Sequence, residues 1–149
     1  MVSRCQAQNL RMRNVDFPAV EGVSIAIAQQ ESDTVPGQID WTAYVINSNP
    51  FPIVNVLVAT KGYGEHNGEP QRTSVLRHLI ERVEAGEAAP IERVDPQVFH
   101  LVNEFWLSYY KDEERSQIYD KKFLFLPDSI IEENLSYIPT LELRGVIHT

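Results

Sequence analysis

Two runs of large apolar residues, separated by a wholly polar segment, dominate the chain between Val98 and Leu126. Drawn as extended backbone, the first run, Val98 to Tyr110, places Phe99, Leu101, Phe105, Leu107 and Tyr109 on one face. The second run, Ile118 to Leu126, is rich in β-branched and aromatic residues and carries Phe123 and Phe125. Between them, residues 111–117 contain no apolar side chain and suit an exposed turn. The stretch therefore predicts a long β-hairpin, whose apolar face seeds a core at about 25 cal/mol per Å² removed from water. A helical reading competes. Asp95-Pro96 has the form of an N-cap followed by proline, and Val98, Leu101, Val102, Phe105 and Tyr109 also fall at helical spacing. The crowding of Phe105, Trp106, Tyr109 and Tyr110, all poor helix formers, favours strand.

The chain before the hairpin alternates in the same way. Residues 1–20 show no clean period and are expected to run over the surface or add an edge strand. Val23, Ile25 and Ile27 alternate with small residues, the clearest half-buried strand in the sequence. After a turn over Glu31 to Gly37, Ile39, Trp41, Ala43 and Val45 share one face of a second strand, which Asn47-Ser-Asn-Pro-Phe-Pro52 ends. Ile53 to Thr60 is so apolar that both its faces are expected to be covered. Lys61 to Gln71 reads as a loop, with Asn67-Gly68 as a tight-turn signal.

Thr73 to Val83 has helical spacing in Val75, Leu76, Leu79, Ile80 and Val83, with Ser74 and Gly86 as candidate caps. A regular sandwich, however, needs a strand there, and strand is preferred. Ala88 to Val94 is a further short strand. Beyond Leu126 a C-terminal extension, 127–149, is expected to hold a short helical turn capped by Asp128, then an edge strand over Leu141 to Ile147.

With no internal repeat and no linker, residues 1–149 read as one domain of ordinary size, large enough to bury a core without disulfides or metal. The single cysteine, Cys5, excludes an internal disulfide framework. A net charge of −8 argues against a nucleic-acid partner, and no run approaches the ~20 apolar residues of a membrane span. Met1-Val-Ser-Arg-Cys5 carries no apolar signal core, so a cytoplasmic location is the expectation.

Seven or eight strands punctuated by turns predict an all-β antiparallel sandwich with at most one or two short helical segments. Over residues 21–126, the inward-facing Trp41 and the turn Glu84-Ala-Gly-Glu87 before a short strand resemble immunoglobulin-like and fibronectin-type sandwiches. The paired inter-sheet cysteines of antibody domains are lacking. The resemblance implies a fold and not an activity.

Chemistry-bearing motifs are scarce. Gly62-Tyr-Gly64 lacks the rest of a dinucleotide fingerprint, and no Gly-x-Ser-x-Gly, Walker or His-Glu-x-x-His pattern occurs. The residues that could ligate a metal are His100, Glu104, His66 and His78. In a strand, His100 and Glu104 stand roughly 13 Å apart, too far for one ion, so ordinary hydrogen-bonded or exposed roles are expected and no cofactor is implied. The aromatics carry more. With Phe105 and Tyr109 facing the core, Trp106 and Tyr110 face the other way beside Val102 and Glu104. This mixture suits a contact surface. The expectation is a non-enzymatic module acting through a protein partner or self-assembly. A small-molecule or carbohydrate-like ligand at Trp106 and Tyr110 is the alternative, and a metal-assisted hydrolase comes third.

Overall fold

The computed structural model describes residues 18–111 and 117–149. Ten strands follow in order: β1 (Val23–Glu31), β2 (Ile39–Asn47), β3 (Ile53–His66), β4 (Glu69–Arg72), β5 (Leu76–Val83), β6 (Ala88–Arg93), β7 (Val102–Lys111), β8 (Tyr119–Phe125), β9 (Ser136–Ile138) and β10 (Leu143–His148). All pairings are antiparallel. The first sheet runs β6-β2-β1-β10-β9; the second runs β3-β7-β8, with β4 and β5 both paired to the far side of β3. The fold is thus all-β, as the alternating patterns predict, with more strands than the sequence suggests.

The core lies between the sheets. Val23, Ile25, Ile27, Ala43 and Val45 come from the first sheet, and Ile53, Val56, Val58, Phe105, Leu107, Tyr109, Phe123 and Phe125 from the second. Trp41 packs at its rim, edge-on against Phe99 with ring centres 5.2 Å apart. Ile53 and Val56 both reach the core, although strict alternation would send them to opposite faces. A β-bulge resolves this. Asn55 sits at φ 51° where the β3–β7 register shifts, and the extra residue restores the parity. Asn47 ties the ends of the strands together: its amide donates to the carbonyls of Phe51 at 2.8 Å and Val83 at 3.2 Å.

Both helical readings give way to strand. At Asp95-Pro96 the capping chemistry is real, with the Asp95 carboxylate accepting from the Gln97 amide at 2.9 Å, but it supports one 3-10 turn, Pro96–Val98. Asn103 then holds that turn by donating to the Val98 carbonyl at 3.0 Å, and the hairpin begins at Val102 rather than Val98. Phe99 consequently lies off the strand. Of the turn expected over 111–117, residues 112–116 lie outside the described residues, as do residues 1–17 of the N-terminal segment. Thr73 to Val83 yields β5, because pairing with β3 outweighs local helical spacing.

Four further expectations are corrected. The glycine stretch after Lys61 is no loop, since β3 runs on to His66 and Asn67-Gly68 turns it into β4. Leu57 leaves the outer face of β3 partly open, so that strand is not covered on both sides. The C-terminal strand, β10, is internal, flanked by β1 and β9. The short helical turn, Glu132–Asn134, has Ile131 at its N-cap, while Asp128 occupies the preceding bend at φ 58°.

Candidate functional surface

In an antiparallel sheet, directly paired residues share a face. The register of the second sheet therefore defines adjacent rows on its outer side: Leu79–Leu57–Ser108–Asp120, then Arg77–Ala59–Trp106–Lys122, then Lys61–Glu104–Leu124. Four large apolar side chains in these rows are open to solvent, Leu79 at 67%, Trp106 at 45%, Leu124 at 40% and Leu57 at 39%. Trp106 is fixed where it lies. Its Nε1 donates to Asp120 Oδ1 at 2.8 Å, and the Lys122 ammonium sits 4.7 Å from its ring centre. An exposed aromatic held in one orientation loses little freedom when a partner covers it.

Glu104, next but one along β7, behaves differently from the open contact residue its position suggests. Its side chain is only 5% exposed, because its neighbours in the rows fold over it. Tyr63 Oη donates to its Oε1 at 3.2 Å, and the ammonium groups of Lys61 and Lys122 stand 3.8 and 3.9 Å from the two carboxylate oxygens. Burial, then the hydrogen bond and charge of Glu104, push the Tyr63 hydroxyl above its ordinary pKa. Lys122 serves both Glu104 and Trp106, so the carboxylate and the indole belong to one assembly.

The remaining candidates disperse. Val102 and Tyr110, half-buried, stand at opposite ends of the same outer row of β7. His78 turns to the other side of its sheet, where its Nε2 lies 2.6 Å from Glu92 Oε1, an oxygen that also accepts from Thr60 Oγ1 at 2.9 Å. These groups clasp the two sheets beside a cleft of about 220 Å³ lined by Thr73, Ser74, Glu92, Asn103 and Phe105. His66 and His100 do come together, with ring centres 5.2 Å apart. Among the described residues, no three of His, Cys, Asp and Glu gather to hold a metal ion.

Sequence reasoning found Trp106 but missed the residues that complete its surface, Leu57, Leu79, Asp120 and Lys122. Leu57 was hidden inside an apolar run, and Leu79 inside a helical pattern. Only the cross-strand register assembles them, and register is a long-range property. Compared with protein-family models and with curated proteins, the chain matches none, so what this surface can do follows from its geometry.

Proposed function

We propose that the protein is an immunoglobulin-like sandwich that works as a contact module, with the outer face of its second sheet as the binding surface and a second copy as the occupant. The strand order supports the first part. Lettered in the immunoglobulin manner, β1, β2 and β6 follow the order A-B-E, and β8, β7, β3 and β5 follow G-F-C-C′. The observation that carries the second part is the row of exposed apolar groups around the immobilised Trp106. The surface carries both signs of charge, Lys61, Arg77 and Lys122 against Asp120, as a self-complementary contact requires. Strands about 4.8 Å apart give these three rows an area of roughly 200 Å², polar members included, a quarter of the ~800 Å² each partner commonly buries. It is thus the centre of a contact, and the charged rim supplies the rest.

A ligand at Trp106 is less well supported. Lys122 already engages the indole ring, which leaves less of it free for a sugar to stack on.

Sedimentation equilibrium tests the reading. Self-association is expected in the wild type, strengthening with salt because two copies at −8 repel one another. Trp106→Ala should weaken it by about 2 kcal/mol, roughly 30-fold, with the β-type circular dichroism unchanged. A wild type still monomeric near ~1 mM, where association is worth only about 4 kcal/mol, overturns self-contact.

A further inference from the structure

We propose that His66 and His100 form a two-histidine site for a divalent late transition-metal ion. The two rings come from distant parts of the chain, His66 from the end of β3 and His100 from the segment just before β7, yet their centres are 5.2 Å apart with planes tilted by 60°. Two imidazoles bound to one tetrahedral ion have ring centres about 5 Å apart, given metal–nitrogen distances of about 2.0–2.1 Å. The tilt excludes a parallel stack, in which the nitrogens could not converge on one point.

Two features indicate a built arrangement. The first is Gly64, which shares a face of the β3–β4 hairpin with His66, Glu69 and Gln71. A side chain at Gly64 would press on Leu101, since a Cβ there would stand 3.3 Å from Leu101 Cδ2 and 3.8 Å from its Cα. The bare glycine lets the segment carrying His100 lie against the hairpin. The second is Gln71, whose Oε1 lies 2.9 Å from His100 Nε2. A carbonyl oxygen accepts, so Nε2 carries the proton and the lone pair of the neutral ring stands on Nδ1. Ligating histidines are commonly oriented in this way through their other ring nitrogen.

The other described histidines are committed elsewhere, His78 to Glu92 and His148 against the Phe125 ring at 4.3 Å. Two protein nitrogens leave the remaining positions of the ion to water, and Glu69, paired with His66 across the hairpin, supplies a nearby negative charge. Imidazole ligation suits Zn²⁺, Ni²⁺ and Cu²⁺, with Cu²⁺ the tightest of these.

Calorimetric titration of the full chain with Cu²⁺ and with Zn²⁺ tests the site. One ion per chain is expected at this site, with Cu²⁺ tighter than Zn²⁺. His66→Gln and His100→Gln should each weaken binding by at least about tenfold, because either change turns a chelate into a single bond. His78→Gln should leave it unchanged. Zn²⁺ should also raise the unfolding temperature of the wild type and not of His66→Gln, since the site exists only in the folded chain. Equal binding by wild type and both variants would mean an adventitious ion only, and this result, or no binding at millimolar metal, overturns the proposal.

Discussion

The outer faces of the two sheets are built in opposite ways. On the first sheet Ala26, Ile46 and Ile138 are buried together, with Tyr44, Ala88 and Leu141 packed against them. Small residues make this possible. Gly145 lies so close to β1 that a Cβ there would come within 2.6 Å of the Ile27 carbonyl oxygen. The chain after β8 folds back: β9 extends this sheet beyond β10, and Leu141 in the turn between them packs onto the face. On the second sheet the corresponding face carries Leu57, Leu79, Trp106 and Leu124, each more than a third exposed. The first face is covered in part by its own chain, where Ala26 and Gly145 leave room, although Ile147 beside Ala26 stays 36% exposed; the second leaves four large side chains open. Large apolar groups left in the open are what the proposed contact would cover.

The largest effect expected from this contrast follows from making similar truncations on the two faces. Ile46 is buried on the covered face, so Ile46→Ala should cost about 2–5 kcal/mol in urea denaturation. Leu79→Ala removes as much hydrocarbon from the open face and should change stability by no more than about 0.5 kcal/mol. Comparable losses at the two sites would abolish the distinction, and would place Leu79 under cover in solution.

Much of this architecture is legible in the sequence, and the exceptions share one cause. Ile25, Ala43, Val45, Phe105, Leu107 and Tyr109 are core residues that alternation alone identifies, because a period of two is a local property. Trp106 is likewise sent outward by its neighbours. The ambiguities and the failures both concern partners. Whether Leu79 lies on a helix or a strand depends on β3, about 20 residues away, and nothing within Thr73 to Val83 encodes that. The cover over Ala26 comes from the far end of the chain, where the sequence suggests only an edge strand. Glu104 reads as an open polar residue because its cover, Tyr63, Lys61 and Lys122, arrives from two other strands.

Glu104 sharpens the contrast, being the one place where the open face has a buried interior of its own. Its carboxylate anchors Tyr63 and two half-exposed lysines. Glu104→Gln removes the charge while keeping the shape. The expected loss is about 1–2 kcal/mol, toward the low end for a hydrogen bond to a charged group, because solvent already screens the lysines. Alkaline ultraviolet titration supplies a second readout. The Tyr63 hydroxyl should titrate lower in the variant, though still raised, since burial is the larger cause of its shift. An unmoved Tyr63 would show that the carboxylate does not govern this corner of the surface.

The smallest effect sets the two faces of β7 against each other. Trp106, exposed, has its polar atom paired with Asp120, whereas Tyr109, fully buried and stacked on Tyr119 at 5.2 Å, has a hydroxyl with no partner among the described residues. Leaving a buried hydroxyl unpaired costs about 1–3 kcal/mol, so removing the oxygen relieves a penalty while the ring stack stays in place. Tyr109→Phe is therefore expected to be neutral or to stabilise the fold by up to about 1 kcal/mol at neutral pH. Burial first, and then the charges of Tyr119 and Glu21, push the Tyr109 hydroxyl up to about 12. In the unfolded chain it ionises near the ordinary tyrosine value of about 10, so between these values the unfolded state binds fewer protons. Stability is thus intact below pH 10 and falls as pH rises toward 12. Tyr109→Phe should remove this part of the alkaline loss in urea denaturation followed across that window. A clear destabilisation at neutral pH would mean that the hydroxyl has a partner in solution, and the buried aromatic would then be satisfied like its exposed neighbour on the same strand.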